Sequence, residues 1–186
     1  MTKIVSSEQI FKNSFATVSK KTLDSKPGER VQVHLVVEKP DAVCVTLVDL
    51  KARKMLFVEQ FRSGAACHHI GKSPYLLEPV AGHIDPGENP EDAAYREVDE
   101  ETGGLKIKNL RSVCEGFTTP GIANEMHYHY MAEFDSTEVD TDKTYGIEGE
   151  SIKLRIFTIE EAFAKLQSGE IRSSAALISV LLAITL

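Results

Sequence analysis

Residues 82 to 104, GHIDPGENPEDAAYREVDEETGG, decide the fold of this chain. Asn89 is a good helix N-cap, and Pro90 suits the first helical position, where a backbone N–H would have no partner. Gly103 suits the left-handed residue at which a helix ends. The stretch therefore predicts a helix that begins after Asn89 and ends at Gly103.

Three glutamates of this helix, Glu97, Glu100 and Glu101, have the spacing i, i+3 and i+4. At about 100° per residue, they fall within an arc of about 100° on one face. Ionised carboxylates so close together repel each other, and a purely structural helix would rarely carry them. Because Mg²⁺ favours carboxylate oxygens, the pattern predicts a site for a divalent cation.

The segment resembles the Nudix box, G-x5-E-x7-R-E-U-x-E-E-x-G-U, in which U is a bulky aliphatic residue. Eight positions are in register: Gly82, Glu88, Arg96, Glu97, Val98, Glu100, Glu101 and Gly103. From ordinary residue frequencies, the probability that these eight positions match by chance somewhere in the chain is on the order of 10⁻⁷. The last U position holds Gly104, and we expect Leu105, the next residue, to supply the missing apolar contact.

The resemblance implies a loop–helix–loop that holds divalent metal against a pyrophosphate. It makes Glu97 and Glu101 the principal ligands, with Glu100 joining or supporting them in catalysis. The backbone carbonyl of Ala81, just before the box, is a further candidate ligand. The expected metal is Mg²⁺, with Mn²⁺ as the alternative, and it would neutralise phosphate oxygens and activate an attacking water.

Two further roles are implied by the resemblance. Glu88 and Arg96 would form a salt bridge that orients the first metal ligand. In related enzymes a glutamate on a loop after the sheet commonly acts as general base on the water. Glu148 and Glu150, in the sequence IEGESI, are the candidates here, and Glu150 is favoured by its distance from the later GEIR segment.

Other segments are similar to one branch of the family, the ADP-ribose and nucleoside-diphosphate-sugar pyrophosphatases. Pro120 lies 16 positions beyond Gly104, as in that branch. VEQFR at 58–62, LLEPVAG at 76–82 and SGEIRSSAALISVLLA at 168–183 agree with it. The implied reaction is hydrolysis of ADP-ribose to AMP and ribose 5-phosphate, and the implied partner is a small nucleotide sugar.

Three residues are candidates for substrate binding. Arg62 could bind the diphosphate or terminal ribose, because a guanidinium grips phosphate in bidentate fashion. Glu78 could bond a base or sugar edge, and Pro120 marks the substrate loop. GDP-mannose or another nucleotide sugar stays open as the substrate. A non-catalytic nucleotide-sugar sensor is the alternative from another class, although such proteins usually lose box carboxylates.

The pattern around the box predicts a mixed α/β (α+β) fold, and the resemblance makes it an α/β/α sandwich on a mixed sheet. Strands are predicted at 32–38, 42–50, 55–62, 76–80, 105–117, 126–134 and 152–157, and further helices at 159–167 and 173–184. By resemblance, residues 1–40 form an N-terminal β extension that helps to make a homodimer. Residues 41–186 form the catalytic domain.

The composition is that of a globular protein, with 42% hydrophobic and 26% charged residues in 186 positions. The net charge is −7, which disfavours nucleic acid and anionic membranes as partners. Residues 82–104 contain eight acids and one base, so the box alone carries that excess. Metal ions would offset it when a diphosphate binds.

Three cysteines, an odd number, are too few for a disulfide framework and predict a reducing, cytoplasmic compartment. The N-terminal MTKIVSSEQI lacks the apolar run of a signal peptide. The apolar run at 175–186 is shorter than the roughly 20 residues of a membrane span. We expect it to be a buried last helix or part of a subunit contact.

The sequence MHYHY at 126–130 places His127 and His129 on one face of a strand. No zinc-ligand spacing accompanies them, so we expect histidines that face solvent or a partner. Tyr128 and Tyr130, on the other face, are expected in the core or in the wall of the substrate pocket.

Overall fold

The structure is a computed structural model that describes residues 3–24, 33–68, 71–147 and 151–186. The chain divides into two units. The first comprises Met1–Ala42 and Glu115–His127, and the second comprises Val43–Cys114 and Tyr128–Leu186. The helix that carries the three glutamates belongs to the second unit.

The first unit contains an antiparallel sheet in the order β1-β2-β3, at Lys3–Lys12, Thr17–Asp24 and Val33–Glu38. All ten residues of β1 are exposed. The small N-terminal β element predicted from the sequence is therefore confirmed.

A later segment of the first unit, residues 118–125, is bound to β3 by backbone and side-chain contacts. The Val37 N–H donates to the carbonyl of Ile122 at 2.8 Å. Just beyond β3, the Lys39 ammonium forms an ion pair with Glu125. These contacts attach a turn-rich segment without regular structure to the end of a strand.

The remaining elements are runs of strands interrupted by single helices, with two consecutive helices at the end. In chain order they are β4 (Ala42–Asp49), β5 (Lys54–Phe61), α1 (Ser63–Ala66), β6 (Tyr75–Glu78), β7 (Val80–His83), α2 (Pro90–Thr102), β8 (Lys108–Phe117), β9 (Met126–Glu133), β10 (Thr144–Tyr145), β11 (Ile152–Thr158), α3 (Ile159–Gln167) and α4 (Ser174–Ala183). Their strands form a mixed sheet in the order β10-β11-β5-β4-β9-β8, in which β6 pairs with β5 and β7 with β4.

Helices cover both faces of this sheet, as the side chains of β4 show. All eight residues of β4 are buried and six of them are apolar, as expected of a strand that is covered on both faces. Val45 and Leu47 join the core that includes Val98 of α2. Val48 joins a second core with residues of α3 and α4, among them Val180. The predicted mixed fold with helices packed on a sheet is confirmed.

The main differences from the predicted elements lie where local signals are short. The predicted strand at 76–80 is two strands, β6 and β7, separated by Pro79, which has no N–H for a strand ladder. Between the predicted strands at 55–62 and 76–80, where no element was predicted, the structure has the single-turn helix α1. Between the predicted strands at 126–134 and 152–157, again with no predicted element, the structure has the two-residue strand β10.

The last two helices agree with the predicted positions. A capping box between Thr158 and Glu161 starts α3. In α4, Ala176 and Val180 are fully buried, whereas Leu177 and Leu181 are more than 40% exposed. The predicted burial of the last helix is thus confirmed for one face. Among the described residues, no helix has the length and apolar character needed to cross a membrane.

Candidate active site

The helix α2 begins and ends as its sequence predicts. The side chain of Asn89 accepts hydrogen bonds from the N–H groups of Glu91 and Asp92, both at 3.0 Å. Gly103 ends the helix with φ +71°. Leu105 packs against the core beyond the helix, so the apolar contact expected from it is confirmed. Capping and burial together hold the helix in one position on the sheet.

The carboxylate of Glu97 lies directly against the backbone of Gly82 in β7. A Cβ atom built on Gly82 would stand 2.0 Å from the Glu97 Oε1 atom. Only 8% of Glu97 is exposed. Any side chain at position 82 would occupy the space of the carboxylate, which explains why this position needs glycine.

Arg96 links the other box carboxylates to one another. Its Nε and Nη2 atoms each donate to one oxygen of Glu88 at 2.9 Å. Its Nη1 donates to Glu97 at 2.6 Å and to Glu100 at 3.1 Å, and Nη2 also reaches the carbonyl of His83 at 2.9 Å. The hydrogen bond from Arg96 lowers the pKa of Glu88 to about 2. Both members of this pair are therefore charged at neutral pH.

Glu101 is held by two neutral donors from the sheet. Its Oε1 accepts from the Nε2 of Gln60 at 2.6 Å, and its Oε2 accepts from the backbone N–H of Ala81 at 3.1 Å. Glu101 is 4% exposed and Gln60 is 7% exposed. Ala81 contacts Glu101 through its N–H, and the ligand role that the resemblance implies for its carbonyl stays a prediction. The contact between Gln60 and Glu101 is not predicted from the sequence. The feature that could have indicated it is the single amide side chain in the largely apolar strand MLFVEQF.

The donor set fits a divalent cation. Glu97 and Glu101 are nearly buried, Glu100 is partly buried, and all three extend from one helix. Burying ionised carboxylates is costly unless opposite charge is near. The Arg96 guanidinium supplies one positive charge to Glu97 and Glu100, and it shares that charge with Glu88. Carboxylate oxygens are also the ligands that Mg²⁺ prefers. These residues could therefore hold Mg²⁺ or Mn²⁺.

Two of the candidates for substrate binding, Arg62 and Glu78, contact each other. The Arg62 Nε atom lies 2.5 Å from the Oε2 atom of Glu78. Glu78 is opposite Val58 in the β5–β6 register, and alternation along β5 places Gln60 on that same face. The structure thus brings Arg62 and Glu78 together on the sheet face that carries Gln60.

The described residues do not test the roles predicted for the candidate bases and the substrate-loop proline. Glu148 and Glu150 lie outside the described residues. Pro120 belongs to the Glu115–His127 segment of the first unit. The roles suggested for these three residues remain predictions.

One of the two histidines of β9 differs from the expectation. His129 is only 3% exposed in the chain itself, so the prediction that it faces solvent or a partner is wrong. Its strand neighbour Met131 belongs to the core under α3 and α4, which shows that this face of β9 is covered. Tyr130 is buried and Tyr128 packs against the other core, as predicted. Alternation alone does not distinguish a strand with one covered face from a strand with two.

Comparison with known proteins finds a matching family and several similar proteins. Residues 38–177 match the model of the NUDIX domain family. The ADP-ribose pyrophosphatase of Haemophilus influenzae is 35% identical over 140 residues, which are 75% of this chain and 64% of that protein. The chain therefore spans slightly less than two thirds of that relative's length.

Two further relatives are covered more completely. The ADP-ribose pyrophosphatase of Bacillus subtilis is 29% identical over 169 residues, 91% of this chain and 85% of that protein. The GDP-mannose pyrophosphatase of Yersinia pestis is 29% identical over 168 residues, 89% of this chain and 82% of that protein. Relatives with two different substrate names thus match this chain at equal identity.

Proposed function

The chain belongs to the NUDIX family, and from this premise we propose that it hydrolyses the pyrophosphate of a nucleoside diphosphate sugar. ADP-ribose is the first candidate substrate, with AMP and ribose 5-phosphate as products. The observation that carries the proposal is the nearly buried pair Glu97 and Glu101, held against β7 and β5. The names of the Haemophilus and Bacillus relatives support the choice of ADP-ribose.

The residues of α2 would hold Mg²⁺, or Mn²⁺ in its place. Glu97 and Glu101 are the proposed main ligands, with Glu100 and the carbonyl of Ala81 completing the set. A bound metal ion supplies charge neutralisation for the diphosphate and a lowered pKa for the attacking water. The role of the protein is to keep the carboxylates in position, and Arg96 does so for Glu97.

Two groups outside the helix complete the proposed mechanism. Glu150, or Glu148 in its place, would accept the proton of the attacking water. Arg62 donates to Glu78 through Nε, and the fork of a guanidinium allows its terminal amino groups to bind a phosphate oxygen at the same time. Glu78 would then have two roles. It would orient Arg62, and it would itself face the sugar or base edge of the substrate.

The substrate test is incubation with ADP-ribose and Mg²⁺ followed by chromatography for AMP. A panel with GDP-mannose, UDP-glucose and ADP-glucose identifies the preferred nucleotide sugar. GDP-mannose is the second candidate because the Yersinia relative carries that name at 29% identity. Absence of turnover on every member would contradict the proposed function, and tight binding without turnover would favour a sensor.

The metal ligands are tested by Glu101→Gln, which removes one charge and keeps the shape of the side chain. We expect roughly a 100-fold loss of kcat. The melting temperature should fall modestly, because glutamine has one acceptor oxygen for the two donors of Gln60 and Ala81. Asp99→Asn is the matched control, because Asp99 is an exposed acid on the same helix. A fully active Glu101→Gln would remove Glu101 from the metal site.

The base is tested by comparing Glu148→Gln with Glu150→Gln at several pH values. The variant that lacks the base should lose kcat and also the acidic limb of the pH–rate profile. We expect this result for Glu150→Gln. The same result for Glu148→Gln alone would transfer the role to that residue.

We also propose that residues 1–40 serve as a dimer-forming extension of the catalytic domain at 41–186, with a second copy of this chain as partner. Every residue of β1 is exposed, including Ile4, Val5, Ile10 and Phe11, each more than 50% exposed. Phe11→Glu should shift the mass measured by light scattering from dimer to monomer. Leu177→Glu, an exposed position on α4, is the control. A monomeric wild type would contradict this assignment.

The cytoplasm is the proposed location. Cys67 and Cys114 carry exposed thiols, whereas Cys44 is buried. Free exposed thiols are typical of reducing compartments. Fractionation of cells that produce the protein, with a thiol-alkylation assay, tests this proposal, and recovery of oxidised protein outside the cytoplasm would contradict it.

A further inference from the structure

Gln60 contacts a carboxylate that the proposed function assigns to the metal. Its Nε2 atom donates to Glu101 at 2.6 Å, across 41 positions of sequence. The second oxygen of Glu101 accepts from the backbone N–H of Ala81 at 3.1 Å. One donor on each oxygen fixes the rotation of the carboxylate about its own axis. Each carboxylate oxygen has two lone pairs, so a bound cation can share it with these donors.

The chemistry of this position favours an amide. A carboxylate at position 60 would face Glu101 with a like charge, and an apolar side chain would offer no donor. A positive side chain would orient Glu101 but would also compete with a cation for its charge. The amide of Gln60 is neutral, so it orients Glu101 without that competition.

The strand that carries Gln60 is held in register on both sides. Gln60 lies opposite Leu76 of β6, and the preceding residue, Glu59, lies opposite Lys153 of β11. Gln60 is 7% exposed, so its side chain has little freedom to leave the contact. The amide is therefore attached to a rigid part of the sheet, whereas Glu101 extends from a helix.

We propose that Gln60 is a positioning residue that sets the orientation of Glu101 for divalent metal. This inference rests on the proposed function, because it takes Glu101 to be a metal ligand. Residues that orient metal ligands typically change metal affinity by 10- to 100-fold when replaced. Gln60→Met keeps the length of the side chain and removes the donor, and we expect it to weaken Mn²⁺ binding by about tenfold.

The test measures Mn²⁺ binding to the whole chain, without nucleotide, by electron paramagnetic resonance and calorimetry. The matched control is Glu59→Gln, since Glu59 is adjacent in β5 and pairs with Arg155 at 2.6 Å. Gln60→Met should raise the Kd for Mn²⁺ about tenfold, and Glu59→Gln should leave it unchanged. In turnover assays, Gln60→Met should need more Mg²⁺ and should keep its KM for nucleotide sugar once metal is saturating.

The outcomes separate this inference from the proposed reaction. An unchanged Kd for Mn²⁺ in Gln60→Met overturns the inference. If the melting temperature of that variant falls while the Kd stays unchanged, the contact with Glu101 has only a structural role. Wild-type protein that binds Mn²⁺ but hydrolyses no nucleotide sugar contradicts the proposed reaction alone. A tenfold weaker Kd in Gln60→Met supports the positioning role even in that case.

Discussion

Replacement of Gly82 by alanine tests the geometry of the candidate active site directly. Gly82 has no left-handed φ, so the backbone itself can accept alanine. The obstacle is Glu97, because the added Cβ would lie 2.0 Å from its Cδ and Oε1 atoms and 2.2 Å from its Oε2 atom. The change therefore adds one methyl group against a carboxylate that we assign to the metal.

The size of the effect follows from these distances. Non-bonded Cβ contacts are essentially never shorter than 3.0 Å, so the Glu97 carboxylate must move by at least about 1 Å. Such a shift disturbs its 2.6 Å contact with Arg96. A misplacement of about 1 Å in an active site can lower the rate by about 10²-fold. Overpacking of this kind typically costs about 1–3 kcal/mol of stability.

The assay compares kcat/KM and Mn²⁺ affinity for wild type, Gly82→Ala and Gly116→Ala. Gly116 is the control because no atom lies within 4 Å of a Cβ built there. We expect a loss of at least 100-fold in kcat/KM for Gly82→Ala and wild-type values for Gly116→Ala. If Gly82→Ala stays within threefold of wild type in both measurements, the placement of Glu97 does not control the reaction.

Three further predictions concern contacts other than the one between Gly82 and Glu97. Arg96→Lys cannot grip both oxygens of Glu88, so kcat/KM should fall roughly tenfold in steady-state assays. Burial raises the pKa of Glu125, but Lys39, Thr118 and His127 together hold this pKa below its ordinary value of 4.5. Stability that wild type gains over Glu125→Gln, about 1 kcal/mol in thermal melts, should be full above about pH 4.5 and shrink below it. Gly103→Ala, at φ +71°, should cost about 1–2 kcal/mol in urea unfolding.

Each of these predictions has an outcome that contradicts it. Wild-type kcat/KM in Arg96→Lys would mean that the bidentate contact has no effect on the reaction. A stability difference for Glu125→Gln that grows as the pH falls from 6 to 4 has the wrong sign for a lowered pKa. Unfolding of Gly103→Ala at the wild-type urea concentration would show that alanine accepts the left-handed conformation at the end of α2 without cost.

Local signals in the sequence predicted the parts of the fold that depend on near neighbours. The N-cap at Asn89 and the end at Gly103 were both correct. The strand at 76–80 was predicted as one strand, although Pro79 separates two. The burial of His129 was predicted wrongly, because it depends on the helices that cover its face of the sheet.

The sequence by itself determined the helix α2, the stripe of glutamates on it and the family to which the chain belongs. These features depend on contacts within about one or two helical turns, which spacing and caps specify. Tertiary structure alone decided that Gln60 bonds Glu101, that Gly82 lies against Glu97, and that Arg62 pairs with Glu78. These contacts require β5, β6 and β7 to be paired in register and α2 to pack on them. The physical reason is that a side chain acquires such partners only when strands distant in sequence form one sheet.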